Sequence, residues 1–187
     1  MNKLIALSLI PLLSGCLSAS APRVSQWILE YRGASRTAQL KKYDVGRVSQ
    51  VLIRSPYGEI GIAVLRADGS MAFDPYNEYA ANPVSMAKGF VFDAMDASGL
   101  FGTVLNASSS VKATTLVEVM VTRLALDCRK EGERRAVAEV LVRILGDGVR
   151  SSHAKGEGAA DAADGNYGAA LSGALSAALD SAFGRLR

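Results

Sequence analysis

The chain has 187 residues and a net charge of +3, and 49% of its residues are apolar against 21% charged. An apolar fraction this high excludes a disordered chain, and the length suffices for one domain with a sizeable core. The charge excess is small and no basic cluster is interleaved with aromatic residues, so the composition gives no support for nucleic-acid binding.

The amino terminus has the features of a bacterial lipoprotein signal. Lys3 supplies a positive charge, and residues 4–13 form an apolar run that is too short to span a bilayer as a permanent helix. The segment Leu13-Ser14-Gly15-Cys16 that follows resembles a lipobox, in which the cysteine becomes the first mature residue and receives fatty acyl chains such as palmitate. An ordinary secretory signal that happens to contain a cysteine is the alternative.

This signal predicts the organisation of the whole chain. We expect a signal peptide over residues 1–15, lipidation at Cys16, a lipidated tether over residues 16–25, and one folded domain over residues 26–187. Leu17 follows the cysteine, where an Asp would retain a lipoprotein at the inner membrane. Its presence implies the outer membrane, with the domain on the periplasmic face.

The first part of the domain predicts two strands. Residues 26–31 and residues 48–53 are rich in apolar and aromatic side chains, and the polar stretch between them indicates a loop. Pro56 and Gly58 then mark a turn, because proline removes a backbone donor and glycine frees the backbone.

Residues 60–105 read as two short strands followed by a well-marked helix. Asn82 can cap the first turn, and Pro83 stands where its missing N–H costs nothing. Gly99 suits the left-handed residue that ends a helix. The predicted helix has an apolar stripe with helical spacing: Val84, Ala87, Phe90, Val91, Ala94 and Met95.

Residues 115–128 and 134–145 predict the clearest hairpin of the chain, with residues 130–132 at its tip. Residues 146–165 are rich in Gly, Ala, Asp and Ser, and this composition predicts a flexible loop that carries the single histidine, His153.

Asn166 is positioned to cap a last helix. Its apolar stripe comprises Leu171, Ala174, Leu175, Ala178, Leu179, Ala182, Phe183 and Leu186. Ser172, Ser176 and Asp180 lie on the opposite side, which is predicted to face solvent.

Several of these segments resemble the ABC-type transport auxiliary lipoproteins, the group that includes PqiC. The resemblance begins with the strand at residues 26–31. It continues with Tyr79-Ala80, which precedes a capped helix, and with Ser98-Gly99-Leu100-Phe101 and Val104, which follow the end of that helix. It ends with Asn166-Tyr167, at the start of the last helix. Two departures are Tyr79, where the family usually has Trp, and the Gly/Ala-rich insert at residues 146–165.

No set of residues predicts a catalytic, cofactor or metal site. His153 has no second His or Cys nearby, and Ser152-His153 lacks a rigid elbow and an orienting acid, which disfavours a hydrolase. The sequence around Cys128 does not clearly provide a His or cationic neighbour to activate the thiol, so this cysteine indicates a small buried residue. No phosphate-cradling glycine loop is present, so the chain is not the ATPase of a transporter. We expect no enzymatic activity.

We predict an α+β domain: a mixed, largely antiparallel sheet of about five strands, with the helices that start at Asn82 and Asn166 packed on one face. The resemblance implies a lipid-anchored accessory subunit of an Mce-type ABC lipid transport system, which docks the Mce-domain substrate-channel protein and assembles as a homo-oligomeric ring. Tyr57, Tyr76 and Tyr79 are the candidates for the partner surface, and packing in the core or at a sheet edge is the alternative for each. A structural outer-membrane lipoprotein that activates a synthase or a secretion complex is the alternative.

Overall fold

The computed structural model describes residues 23–33, 41–146, 149–163 and 165–187. The predicted signal peptide, Cys16 and most of the predicted tether therefore lie outside the described residues. The elements in chain order are β1 (Ser25–Trp27), β2 (Tyr43–Ile53), β3 (Gly61–Arg66), β4 (Met71–Tyr79), α1 (Pro83–Ser98), β5 (Phe101–Leu105), β6 (Thr115–Cys128), β7 (Arg135–Gly146), β8 (Val149–Asp161) and α2 (Tyr167–Arg185).

The sheet is built around the long strand β6. Strand β7 pairs with it in antiparallel fashion from end to end, and β8 pairs with β7 in the same way. The other edge of β6 pairs with two shorter parallel strands, one after the other along its length. Strand β2 pairs with Thr115–Val121, and strand β3 pairs with Leu126–Cys128. Arg54 N–H donates to the Val121 carbonyl oxygen (2.9 Å) where the chain leaves β2.

Outer strands complete a mixed sheet of eight strands, rather than the five predicted. Strand β5 lies beside β2, while β4 lies beside β3 and β1 beside β4. Four of the seven strand pairings are parallel and three are antiparallel, although the antiparallel ones include the two longest. The two strands that were not predicted are β5 and β8: β5 has only 5 residues, too few for a visible alternation, and the segment of β8 was predicted as a loop.

Helix α1 forms as its local signals predict. The Asn82 side chain accepts hydrogen bonds from the backbone N–H groups of Val84 (2.9 Å) and Ser85 (3.3 Å). Gly99 ends the helix in the left-handed region at φ 66°. The stripe residues Ala87, Phe90, Val91, Ala94 and Met95 are buried in the single core of the domain.

The segment predicted as a flexible loop, residues 146–165, is instead mostly strand β8. A Cβ atom added at Gly156 would lie 1.8 Å from the Ala178 carbonyl oxygen, and one at Gly158 would lie 2.1 Å from that of Ala174. The backbone of α2 therefore rests directly on the backbone of β8. The prediction of a loop was wrong because the small residues of this segment allow the helix backbone to pack directly on the strand. The apolar surface that stabilises the strand comes from helix α2 and not from the strand's own side chains.

Helix α2 is covered on both sides. Its apolar stripe is buried as predicted, but Ser172 and Ser176, which were expected to face solvent, are 1% and 3% exposed. They are covered by residues 28–33, which we call the strap. The strap was predicted as part of a strand, yet β1 ends at Trp27 and the chain then crosses the helix.

Hydrogen bonds hold the strap in place. The backbone N–H groups of Glu30 and Arg32 donate to the hydroxyl oxygens of Ser172 (3.1 Å) and Ser176 (2.8 Å). The Tyr31 hydroxyl donates to the Asp180 carboxylate (2.7 Å), and its ring meets Phe90 of α1 edge to face at 5.6 Å. Short hydroxyl side chains on α2 are thus acceptors for a crossing backbone.

Helix α1 contacts β2 and β5, helix α2 contacts β7 and β8, and the two helices touch each other. That both pack on one face of the sheet stays a prediction. Within the described part of the chain, neither helix combines the length and the apolar character needed to cross a bilayer.

Candidate functional site

The three tyrosines predicted as a partner surface have three different environments. Tyr79 is 1% exposed and belongs to the core, so its assignment to a partner surface was wrong. It ends strand β4 beside Trp27 of β1, with its N–H bonded to the Ile60 carbonyl oxygen (2.7 Å). Tyr57 is half-buried against the core, whereas Tyr76 is 53% exposed. Of the three, Tyr76 alone is exposed to solvent.

The hydroxyl of Tyr79 is a buried polar group whose surroundings leave it unpaired. Among the described residues it has no hydrogen-bond partner. Burial alone raises the pKa of this hydroxyl far above its usual range, because the phenolate would be desolvated in the core. The side chain therefore acts as a large apolar ring, in the position where the resembling family usually has Trp.

A bulge in β4 creates a surface that the sequence reasoning did not identify. Gly61 of β3 pairs with Glu78, but Ala63 pairs with Phe73, so the four β4 residues 74–77 lie opposite the single β3 residue Ile62. The Asp74 carboxylate accepts hydrogen bonds from Tyr76 N–H (2.8 Å) and from the Asn77 amide (3.0 Å). The bulge is therefore a fixed structure.

The strand β1 supports the bulge from outside. The Trp27 indole N–H donates to the Asn77 side-chain oxygen (2.8 Å), and the Gln26 amide donates to the Glu78 carboxylate (2.8 Å). The sequence signal that could have revealed the bulge is Pro75, which interrupts a run of residues typical of a strand. Proline inside sheets is confined to edge strands and bulges.

Around the bulge, four large apolar side chains are exposed: Val24 (49%), Ile60 (52%), Phe73 (42%) and Tyr76 (53%). We call these four residues the bulge patch. In the register of β1 with β4, Ser25 pairs with Asn77, which places Val24 beside Tyr76. The ring of Phe73 lies over Gly61, where an added Cβ would be 3.1 Å from Phe73 Cβ, and Ile60 directly precedes that glycine.

A groove of about 400 Å³ lies between α1 and β2. Val48, Val51, Phe92 and Ala107 give it mainly apolar walls, and Lys88 stands among its lining residues. It is open to solvent along one side and is formed where β2 shifts its register between Val48 and Gln50.

The surface of β6, β7 and β8 that points away from α2 carries a network of ion pairs. Glu139 lies 2.9 Å from Arg123 and 3.6 Å from Lys155, and Lys155 also pairs with Glu157 at 2.8 Å. The hydrogen bond to Glu157 and the charge of Glu139 hold the pKa of Lys155 above its usual value. Such exposed pairs are each worth little, and their alternating signs give the face no net charge to steer a ligand.

The residues considered for chemistry are not brought together. His153 is exposed on β8 opposite Arg143, and Cys128 is a half-buried free thiol at the end of β6. The side chain of Ser152 lies outside the described residues. No group of three or more His, Cys, Asp or Glu residues with metal-binding geometry occurs in the described ranges.

No family model matches the sequence, and no curated protein matches it significantly. The fold itself has solved counterparts. Protein XCC0632 from Xanthomonas campestris, described by the family model DUF330, superposes with a TM-score of 0.64 at 15% identity, over 83% of this chain and 91% of that one.

An uncharacterised protein superposes with a TM-score of 0.53 at 12% identity, over 76% of this chain and 90% of that one. The PelC dodecamer from Paraburkholderia phytofirmans reaches only 0.41 at 15% identity, over 81% and 96% of the two chains. The described domain therefore has the fold of the DUF330 protein, which is consistent with the resemblance to the auxiliary lipoproteins.

Proposed function

We propose that the protein is a lipid-anchored, non-enzymatic accessory subunit of an Mce-type ABC lipid transport system. The observation that carries the proposal is the joint occurrence of a lipobox ending at Cys16 and a domain with the fold of a DUF330 protein. The resemblance of Ala80 and of Ser98–Phe101 to the family pattern supports it from the sequence, with Tyr79 as a departure.

In this proposal the protein acts by holding its folded domain at the membrane, where the domain binds a partner. Acyl chains on Cys16 hold it in the periplasmic leaflet of the outer membrane, because several chains on one residue anchor far more firmly than one. The tether sets its reach, and the folded body docks the Mce-domain substrate-channel protein, as a single copy or as a homo-oligomeric ring. No side chain is assigned a catalytic role, and no cofactor is required.

The first test is the chemistry of the anchor. The full chain is expressed with its own signal in a bacterial host, and the mature amino terminus is analysed by mass spectrometry. We expect cleavage before Cys16 and a mass increase from acyl chains, both abolished in Cys16→Ser. An unmodified Cys16 in the wild-type chain would refute the lipid anchor.

The second test is the partner. The acylated protein is crosslinked in its native cells and purified by affinity, with Cys16→Ser as the mislocalised control. Recovery of an Mce-domain protein and its permease supports the transport role. Recovery of a synthase or a secretion complex instead would replace it by the alternative, a structural lipoprotein of another envelope assembly.

A further inference from the structure

The bulge patch lies at the point where the tether enters the domain. Val24 belongs to the patch, and Cys16 precedes it by eight residues. A fully extended chain spans at most roughly 3.6 Å per residue, so the acylated cysteine stays within about 29 Å of Val24. Given the lipid anchor of the proposed function, on which this inference rests, the patch is the described part of the domain that follows the anchor most directly along the chain.

The chemistry of the patch fits a lipid surface. Two aliphatic and two aromatic side chains are exposed together, and aromatic rings are favoured at the boundary between headgroups and acyl chains. Large apolar side chains that are exposed around one structural feature are candidates for an interaction site on a protein.

Two charged groups beside the patch, Asp74 and Glu78, are engaged within the protein, and the two that flank it along the chain, Arg23 and Glu59, have opposite signs. The Glu78 carboxylate accepts from Gln26, and the Asp74 carboxylate accepts from Tyr76 and Asn77. Contact with a membrane would therefore depend on burial of apolar side chains, with little dependence on salt.

We propose that the bulge patch inserts into the headgroup region of the membrane that holds the acyl chains, and so fixes the orientation of the domain on that membrane. Interfacial apolar faces reach about 5–10 Å into the boundary between headgroups and acyl chains. The opposite end of the sheet, where β5 and the loop before β6 lie, is then presented away from the membrane.

The test uses the full acylated chain in vesicles of phosphatidylethanolamine and phosphatidylglycerol. A Cys128→Ala background removes the free thiol, and single cysteines are introduced as Tyr76→Cys, Ile60→Cys and, as the matched control, Val111→Cys. Val111 is 57% exposed and precedes β6 at the end remote from β3. Each cysteine carries an environment-sensitive fluorophore, and nitroxide-labelled lipid is the quencher.

We expect several-fold stronger quenching at residues 60 and 76 than at residue 111, unchanged by added salt. Equal quenching at the three sites, with acylation of Cys16 verified by mass spectrometry on the same sample, would overturn the proposal and leave the anchor intact. Energy transfer between labels at residue 76 on different molecules, without quenching by lipid, would show that the patch is an interface between copies of the chain. That result would also overturn the proposal of membrane insertion. An unmodified Cys16 would remove the anchor and the patch proposal together.

Discussion

The contact between β8 and α2 gives the sharpest test of the fold. In a Gly158→Ala variant the new Cβ would lie 2.1 Å from the Ala174 carbonyl oxygen and 2.6 Å from the Ala178 nitrogen. Both obstacles are backbone atoms of a helix, so no side chain can rotate away. To reach ordinary contact distance, the helix and the strand must separate by more than an ångström.

The expected loss of stability follows from this overlap. Overfilling a packed core costs about 1–3 kcal/mol, and a backbone obstacle places Gly158→Ala in the upper part of that range. The matched control is Gly89→Ala on the exposed side of α1, where an added Cβ meets nothing within 4 Å. Because glycine in a helix is less favourable than alanine by roughly 0.5–1 kcal/mol, the control should gain stability.

Urea unfolding of both variants, followed by circular dichroism, measures the two changes against the wild-type chain. The same chemical substitution is expected to lower the midpoint at residue 158 and to raise it at residue 89. If Gly158→Ala unfolds at the wild-type midpoint while Gly89→Ala is stabilised, β8 does not pack beneath α2. The segment would then be the loop that its composition suggested.

Three further substitutions test the caps, the core and the strap. Asn82→Ala removes two cap hydrogen bonds and should cost about 0.5–2 kcal/mol in thermal unfolding, whereas Asn82→Asp should retain most of that stability. Tyr79→Phe removes an unpaired buried hydroxyl, so stability should stay unchanged or rise; a loss above about 1 kcal/mol would reveal a partner for it. Burial raises the pKa of Tyr79 in the folded state, whereas in the unfolded chain this hydroxyl has its usual pKa of about 10. The wild-type chain should therefore lose stability as the pH rises above about 10. The Tyr79→Phe variant should lose less stability over the same pH interval. Ser176→Ala leaves the Arg32 N–H without its acceptor, so hydrogen exchange should accelerate in residues 28–33, and unchanged exchange there would contradict the strap.

The elements that could be predicted from sequence are those with local signals. Asn82, Pro83 and Gly99 specify the limits of α1 through contacts with their own neighbours in the chain. The hairpin of β6 and β7 was predictable because core positions alternate along β7 and along the first half of β6, and the turn residue Gly132 adopts φ 75° as a tight tip requires.

The elements that sequence reasoning missed depend on distant partners. β8 has few apolar side chains of its own, and its stability comes from a helix that follows it in the chain. Ser172 and Ser176 look like solvent-facing residues because they are small and polar, yet their hydroxyls accept from a backbone that precedes them by more than a hundred residues. The bulge patch depends on the pairing of β1 with β4, for which three residue pairs leave no periodic pattern.

The amino-terminal segment connects these features into one arrangement. Residues 25–27 extend the sheet beside the bulge of β4, and the Trp27 carbonyl oxygen accepts from Ala80 N–H (2.8 Å). The strap that follows is bonded along α2, which itself lies on β8 through Gly156 and Gly158. The tether is thus attached to a segment that is fixed on both a sheet edge and the central helix. A segment held at two places cannot swing as a free linker would, so the point where the tether leaves the domain has a defined position relative to the bulge patch. In the proposed function, a membrane anchor at Cys16 would therefore hold the domain by a defined point of its surface, beside the bulge patch.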